Sequence, residues 1–222
     1  MYSGLIRKRP LPIILHMARL ATRPPGSRSP GRPREFDLDQ ALDKAIGTFS
    51  ENGYHATSLG KLTAAMEIAE GSLYKAFGDK RGVFLAAFER YVMLRSEVLA
   101  QDLANARTGR GKVRALLALY AEYSHGKSGR RGCLVVGSAV DLASSDPEMA
   151  KRVAAVLASQ ERRLVEFVRE GQEDGSVSSR VDAAATARLL LCAAQGMRVL
   201  GKAGRSREEM VSLIDSALKL LD

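Results

Sequence analysis

The stretch from residue 70 to residue 75 carries side chains that could read the base edges of duplex DNA. Glu70 can accept a hydrogen bond from cytosine N4, and Lys75 can donate to guanine O6 and N7. Between them, Gly71 permits close approach of the backbone to the duplex, and Ser72 can donate to a phosphate or a base. Because residues 70–77 are too polar to be buried, we expect them to form a short exposed helix that contacts a partner.

The surrounding residues predict that this helix is the second half of a helix-turn-helix. A helix is expected from about Ser58 to Met66, and only three residues separate it from the helix at 70–77. In such a unit the second helix enters the major groove while the first crosses the backbone. Thr57 and Ser58 would then lie where hydroxyl and free amide groups can meet a phosphate. Plain N-capping is the other interpretation, and both could be true.

A third helix is needed to cover the apolar sides of these two helices. Residues 37–52 predict one, with Asp37 at its start and Asn52-Gly53 at its end. Its apolar residues share one face, as do those of the two short helices. Those positions are Leu38, Ala41, Leu42, Ala45, Ile46 and Phe49 on the third helix, then Leu59, Leu62, Met66, Leu73 and Phe77.

Positive charge is concentrated at the N-terminus. The formal net charge is +9, and residues 1–36 hold eight Arg and Lys against one Glu. Residues 37–90 hold six basic and eight acidic side chains, so the helix-turn-helix is not itself basic. We expect residues 1–30 to be a disordered basic arm, because Pro and Arg recur in them without helical or strand period. Arg32 and Arg34, at its end, could enter a minor groove.

An ordered series of motifs between residues 31 and 95 is highly specific. It comprises Gly31-Arg32-Pro33-Arg34, Phe49, Gly53-Tyr54, Thr57-Ser58, Leu62, Gly71-Ser72-Leu73-Tyr74, Phe77, Lys80 and Phe84. The series resembles the tetracycline-repressor (TetR) family of bacterial transcription regulators. That resemblance implies a repressor that binds a palindromic operator as a dimer and is released by a small molecule. It also implies that Tyr74 and Lys80 contact phosphate.

Two positions depart from the family pattern. Glu67 stands where the family usually has Gly, at a turn position that favours positive φ, so its β-carbon should cost about 1 kcal/mol. Ala69 stands where the family usually offers Ser or Thr as a helix N-cap, and losing that cap costs roughly 0.5 to 2 kcal/mol. We therefore expect a recognition helix that frays until DNA orders it.

The rest of the chain predicts a run of helices. We expect one from Asp79 to about Leu103, one from Asp146 to about Asp174-Gly175, one from Asp182 to Gly201, and a last one capped by Ser206. The fold is predicted to be all-α with about nine helices. A helix-turn-helix DNA-binding domain at 31–80 would precede a helical ligand-binding and dimerisation domain at 81–222. The helices after Asp146 and Asp182 are candidates for a four-helix dimer interface.

The resemblance also implies a ligand pocket in the C-terminal helices, with mostly apolar walls and a few polar tips. The residues predicted to line it are Tyr91, Met93, Leu117, Tyr120, Tyr123, Cys133, Val136 and Met149. Two cysteines form no disulfide framework and fit a reducing cytosol, so we expect a cytoplasmic protein. Cys133 follows Arg130 and Arg131, which could make it a redox or electrophile sensor, or it could be an ordinary buried thiol.

Other classes of protein fit the sequence less well. Gly126-Lys127-Ser128 imitates the end of a phosphate-binding loop, but Ala121 replaces the required first Gly. The three His residues lie far apart, and no motif points to a metal, a cofactor or an enzyme. A small helical enzyme using the pocket and a transcriptional activator of the same fold remain as alternatives. A helical adaptor for proteins alone does not explain the polar side chains at 70–80.

Overall fold

The computed structural model describes residues 37–222, and helices supply the regular structure of this range. Within it there are ten α-helices, a terminal 3₁₀ turn at Lys219–Leu221 and no strand, which confirms the all-α prediction. In chain order the helices are α1 Leu38–Asn52, α2 Leu59–Met66, α3 Glu70–Phe77, α4 Lys80–Leu103, α5 Gly109–Glu122, α6 Gly126–Arg131, α7 Leu134–Asp141, α8 Pro147–Glu173, α9 Ala183–Lys202 and α10 Arg207–Leu218. Arg32, Arg34 and the basic arm lie outside the described residues.

Side-chain caps explain where most of these helices begin. An Asp, Ser or Thr side chain accepts from backbone N–H groups of the first turn in seven of the ten helices; these residues are Asp37, Ser58, Asp79, Thr108, Asp146, Asp182 and Ser206. Ser206 and Glu209 form the reciprocal capping box that the sequence predicts. The capping residue thus sets the first turn. Six of these seven starts fall within one residue of those expected, and the start of α5 after Thr108 was not predicted.

Two hydrophobic clusters form the interior of the described chain. The first joins α1, α2, α3 and the N-terminal half of α4 to residues of α7 and of the start of α8, such as Leu134 and Met149. The second joins the C-terminal end of α4 to α5, α8, α9 and α10. The three-helix unit therefore does not close its own core, because α7 and α8 complete it.

Helix α4 runs through both clusters. Phe84 and Phe88, near its N-terminal end, are buried in the first cluster, and Leu99, near its C-terminal end, is buried in the second. Any movement of α4 therefore acts on both clusters. Among the described helices, none combines the length and apolar composition that a bilayer crossing requires.

Candidate nucleic-acid interface and internal cavity

Helix α3 turns its polar side to solvent. Leu73 is its fully buried residue and anchors the helix to the first cluster, with Phe77 half-buried beside it. Glu70, Gly71, Tyr74 and Lys75 are exposed and Ser72 is partly exposed; Tyr74 is 49% exposed as a residue. The residues that the sequence assigns to DNA reading on this helix thus lie together on one accessible face.

Two of the predicted phosphate contacts face inward in this structure. Thr57 is fully buried, and its hydroxyl donates to the carbonyl of Gly53 at 2.6 Å. The prediction that Thr57 offers this hydroxyl to a phosphate does not fit that placement, because the side chain holds the turn before α2. Ser58 is exposed and caps α2, so of this pair it is the one that a phosphate can reach.

Lys80 is also tied into the loop before α2. Its ammonium donates to the carbonyls of Tyr54 at 2.9 Å and Thr57 at 3.0 Å, and it lies 4.2 Å from the centroid of the Tyr54 ring. An ammonium has three donors, so these two hydrogen bonds leave one for another acceptor. In this structure Lys80 fixes the loop against α4, and its contact with phosphate stays a prediction.

Most acidic side chains of the N-terminal unit are paired with basic side chains or with backbone N–H groups. Five of its eight carboxylates form ion pairs with Lys or Arg; these are Asp39, Asp43, Glu51, Glu67 and Glu89. Two more, Asp37 and Asp79, accept backbone N–H groups as helix caps. Glu70 remains, in the first turn of α3, where the helix dipole favours a negative charge. On the exposed face of α3 itself, Glu70 and Lys75 supply one charge of each sign.

The turn between α2 and α3 shows both departures from the family pattern. Glu67 has φ 57° and ψ 42°, and it is the non-glycine residue with positive φ among those described. Ala69 has the extended backbone of an N-cap but makes no side-chain hydrogen bond to α3. Glu67 therefore carries the expected strain, and the first turn of α3 lacks the expected cap.

A cavity of about 280 Å3 lies among α4, α5, α8 and α9. Its wall includes four of the residues predicted from the sequence, namely Tyr91, Tyr120, Tyr123 and Cys133. The other four are not part of this wall. Met93 is exposed on the outer side of α4, Leu117 is fully buried in the second cluster, and Met149 is buried in the first cluster. Val136 lines a separate hollow between α1, α7 and α9.

The polar groups of the cavity form a hydrogen-bonded set. Tyr120 donates its hydroxyl to Gln160 at 2.9 Å, and the amide of Gln195 donates to both of these side chains. The Tyr91 hydroxyl donates to the sulfur of Cys133 at 3.4 Å. Burial raises the pKa of Tyr91 to about 12, and it raises the pKa of Tyr120 as well, so both phenols are neutral at physiological pH.

Seven polar residues of the wall were not predicted: Arg95, Ser96, Ser159, Gln160, Arg163, Gln195 and Arg198. Helical spacing could have identified two of them. Arg95 follows buried Tyr91 by four residues, and Arg198 follows buried Ala194 by four, so each charge falls on a face that is otherwise buried. A charged residue on an otherwise buried helix face indicates a polar cavity. Composition alone does not provide this signal.

Cys133 and Cys192 are free thiols, the first half-buried and the second exposed. Arg131, which the sequence places near Cys133, instead donates to Glu51 on α1. Within residues 37–222, no group of three or more His, Cys, Asp or Glu side chains could hold a metal ion.

Helix α9 presents an exposed stripe of small and apolar residues. Leu189 and Val199 are each 56% exposed, and Ala185 and Cys192 are also exposed on the same helix. These positions are separated by four, three and seven residues, so they follow one face of the helix. Helix α8 packs along α9. This is the pair of helices that the sequence assigns to a dimer interface.

Comparisons with known proteins agree with this geometry. The family model described as bacterial regulatory proteins, tetR family, matches residues 41–87, and the tetracyclin repressor-like C-terminal domain matches residues 109–216. The transcriptional repressor ComR of Escherichia coli K12 is 30% identical over 194 residues, which cover 87% of this chain and 92% of ComR. The transcriptional repressor BdcR of the same strain is 36% identical over 123 residues, covering 55% of this chain and 60% of BdcR.

A solved structure is similar over most of the chain. The TetR-family regulator CifR, a cysteine mutant in complex with 26-base-pair operator DNA, has a TM-score of 0.76 and 32% identity, covering 85% of this chain and 98% of CifR. The helix-turn-helix and these relatives together identify a DNA-binding transcription regulator. The chain belongs to the TetR family of such regulators.

Proposed function

We propose that this protein is a cytoplasmic homodimeric repressor that binds a palindromic operator and is released by a small molecule held in the cavity. The observation that carries the proposal is the outward polar face of α3, since a helix anchored by one buried leucine leaves its other side chains free for a partner. Operator DNA is present in the CifR complex, and ComR and BdcR are named as repressors. Activation of the same target remains the second candidate, because the same interface would serve both.

In the proposed complex, α3 lies in the major groove. Glu70 and Lys75 contact base edges, and Gly71, Ser72 and Tyr74 lie close to the backbone or bases. Ser58, at the start of α2, and the third donor of Lys80 face phosphates. Arg32 and Arg34 enter the adjacent minor groove. This proposal includes three domain boundaries: the arm at 1–30, the DNA-binding domain at 31–80, and the ligand-binding and dimerisation domain at 81–222.

Two copies of α3 must be spaced to match successive turns of the duplex, about 34 to 36 Å apart. The exposed stripe on α9 supports a dimer, because Leu189 and Val199 would be removed from water by a second copy. Helices α8 and α9 of both copies would form the four-helix interface.

A gel-shift titration with the DNA upstream of its own gene tests this function. Lys75→Gln should weaken binding to a palindromic site about tenfold and relax preference at one base pair, since a bidentate contact to guanine contributes roughly 1 to 3 kcal/mol. The matched control is Lys151→Gln, which removes the same charge from an exposed position on α8 and should leave affinity unchanged. Equal affinity of the unmodified protein for palindromic and random duplex would refute the proposal.

A further inference from the structure

The charges on the cavity wall are all of one sign. Arg95, Arg163 and Arg198 line it, and no Asp or Glu does. Elsewhere in residues 37–222, each arginine either forms an ion pair or is exposed to solvent. The three cavity arginines do neither, so positive charge collects at this position without a carboxylate partner.

Arg198 is the most deeply placed of the three. It is 4% exposed and donates to the hydroxyl of Ser124 at 3.3 Å and to the carbonyl of Gly132 at 2.7 Å. Both acceptors are neutral. Taking a guanidinium out of water is unfavourable unless a negative charge accompanies it. Without such a partner, the desolvation free energy of the guanidinium is not compensated.

Arg95 is held by ring contacts alone. Its guanidinium carbon lies 3.3 Å from the centroid of the Tyr123 ring and 5.0 Å from that of Tyr91. Stacking on ring faces occupies the plane of the guanidinium and leaves the N–H groups at its edge available as donors. Arg163, on α8, is half-buried and has no hydrogen-bond or ion-pair partner among the described residues.

The tyrosines of the wall do not supply the missing negative charge. Burial raises the pKa of Tyr91 to about 12, so its phenol is neutral and acts as a donor at physiological pH. Burial also raises the pKa of Tyr120. The positive charge of the wall is therefore left for a ligand to balance.

We propose that the cavity binds a small organic anion, with a carboxylate or similar head among Arg95, Arg163 and Arg198 and an apolar body against the rest of the wall. This rests on the proposed function, in which the cavity holds the effector. Since an apolar cavity of 150 Å3 holds one benzene, a volume of about 280 Å3 suits a molecule of about a dozen non-hydrogen atoms. Arg is the side chain best suited to such a head, because its fork matches a carboxylate.

Calorimetric titration of the full chain with matched probes tests the proposal. Octanoate and 2-naphthoate serve as anions, and octanamide and 2-naphthamide serve as neutral molecules of nearly the same shape. Each anion should bind at least tenfold more tightly than its amide, as expected for a hydrogen bond to a charged group. Arg95→Gln and Arg163→Gln should each remove most of this preference. Arg107→Gln, an exposed arginine outside the wall, is the charge-matched control and should retain it.

The proposal is wrong if the amides bind as tightly as the anions, if neither anion binds, or if Arg107→Gln loses as much preference as the cavity variants. The comparison of anion with amide in the unmodified protein needs no variant, so a misfolded variant does not leave the question open. A gel shift on the same preparation separates the two proposals. Retained preference for palindromic DNA together with failed anion binding overturns only the ligand class, whereas lost preference overturns the function itself.

Discussion

Restoring the missing cap of α3 tests whether the recognition helix is marginally stable. Ala69 is exposed and already has the extended backbone of an N-cap, with φ −68° and ψ 148°. A serine there needs no change of conformation, and its hydroxyl can accept from the N–H groups of the first turn. Ala69→Ser should therefore stabilise α3 by roughly 1 kcal/mol, within the 0.5 to 2 kcal/mol range of such caps. That corresponds to about a fivefold change in the equilibrium between folded and frayed helix.

Hydrogen exchange at the Ser72 and Leu73 amides measures this change directly. Both N–H groups donate to the carbonyl of Ala69, at 3.0 and 3.1 Å, so they exchange when the first turn opens. Ala69→Ser should slow their exchange about fivefold. If the free helix is substantially frayed, operator affinity should rise by up to the same factor, because binding no longer has to order it.

The matched control for this experiment is Ala76→Ser, which makes the same substitution at an exposed position inside α3. Serine is a poorer helix former than alanine, so this variant should speed exchange slightly. If Ala69→Ser behaves like Ala76→Ser, or leaves the exchange rates unchanged, the capping argument fails. Slower exchange without tighter operator binding would show that α3 is already ordered before it meets DNA.

Further predictions concern the turn before α3 and the ion pairs of α4. Glu67→Gly should be more stable than Glu67→Ala by about 1 kcal/mol in chemical denaturation. Both variants lose the carboxylate, and only Ala keeps a β-carbon at positive φ. Equal stabilities of the two variants would show that the turn is unstrained. Arg81 and Arg152 hold the pKa of Glu148 below its usual range, whereas backbone N–H groups of α8 and Arg81 lower that of Asp146. The contribution of these two carboxylates to folding stability is fully present above the ordinary carboxyl pKa of roughly 4. It is lost as the pH falls through the lowered pKa values of Glu148 and Asp146. By NMR titration, Arg81→Gln should raise the pKa of Glu148 more than that of Asp146, and the reverse order would contradict this assignment.

The N-terminal helices could be predicted because their signals are local. The limits of α3 at 70 and 77 follow from a three-residue turn on one side and Gly78 on the other, and Leu73 is buried as its spacing requires. The inward placement of Thr57 could not be predicted in this way. Its hydroxyl could donate either to a phosphate or to the carbonyl of Gly53. Which of the two it meets depends on the three-dimensional course of the loop.

The cavity was predicted only in part. Its wall depends on which side of each of four helices faces the cavity, and this rotation of the helices about their axes is not given by composition. Met93 lies two residues after Tyr91, which turns it about 200° around α4 and places it in solvent. Met149 has the apolar character of a wall residue, but it lies at the start of α8, where its side chain belongs to the first cluster together with residues of α1 and α4. Periodicity identifies the buried face of each helix, and the packing of helices decides which buried residues meet a cavity.

The position of α4 sets what a ligand would have to do to release DNA. The helix has 24 residues, so it is about 36 Å long. Tyr91 and Arg95 in its middle line the cavity, and its N-terminal end carries the DNA-binding unit. A rotation of about 10° around its C-terminal end would move the N-terminal end by roughly 6 Å. In a dimer that shift is enough to spoil a half-site spacing of about 34 to 36 Å.

Two sets of ion pairs determine how such a rotation would proceed. Arg90 binds Asp43 at 2.7 Å and Asp39 at 3.0 Å, which fastens α1 to α4, so the DNA-binding unit should move with the helix. Arg81 binds Asp146 and Glu148 at the start of α8, so these contacts resist the movement. They are partly exposed, so water and salt screen them, and pairs of this kind contribute little to stability. A ligand whose affinity for the two positions of α4 differs by about 1 to 3 kcal/mol, the usual range of allosteric coupling, could therefore shift the equilibrium against these ion pairs.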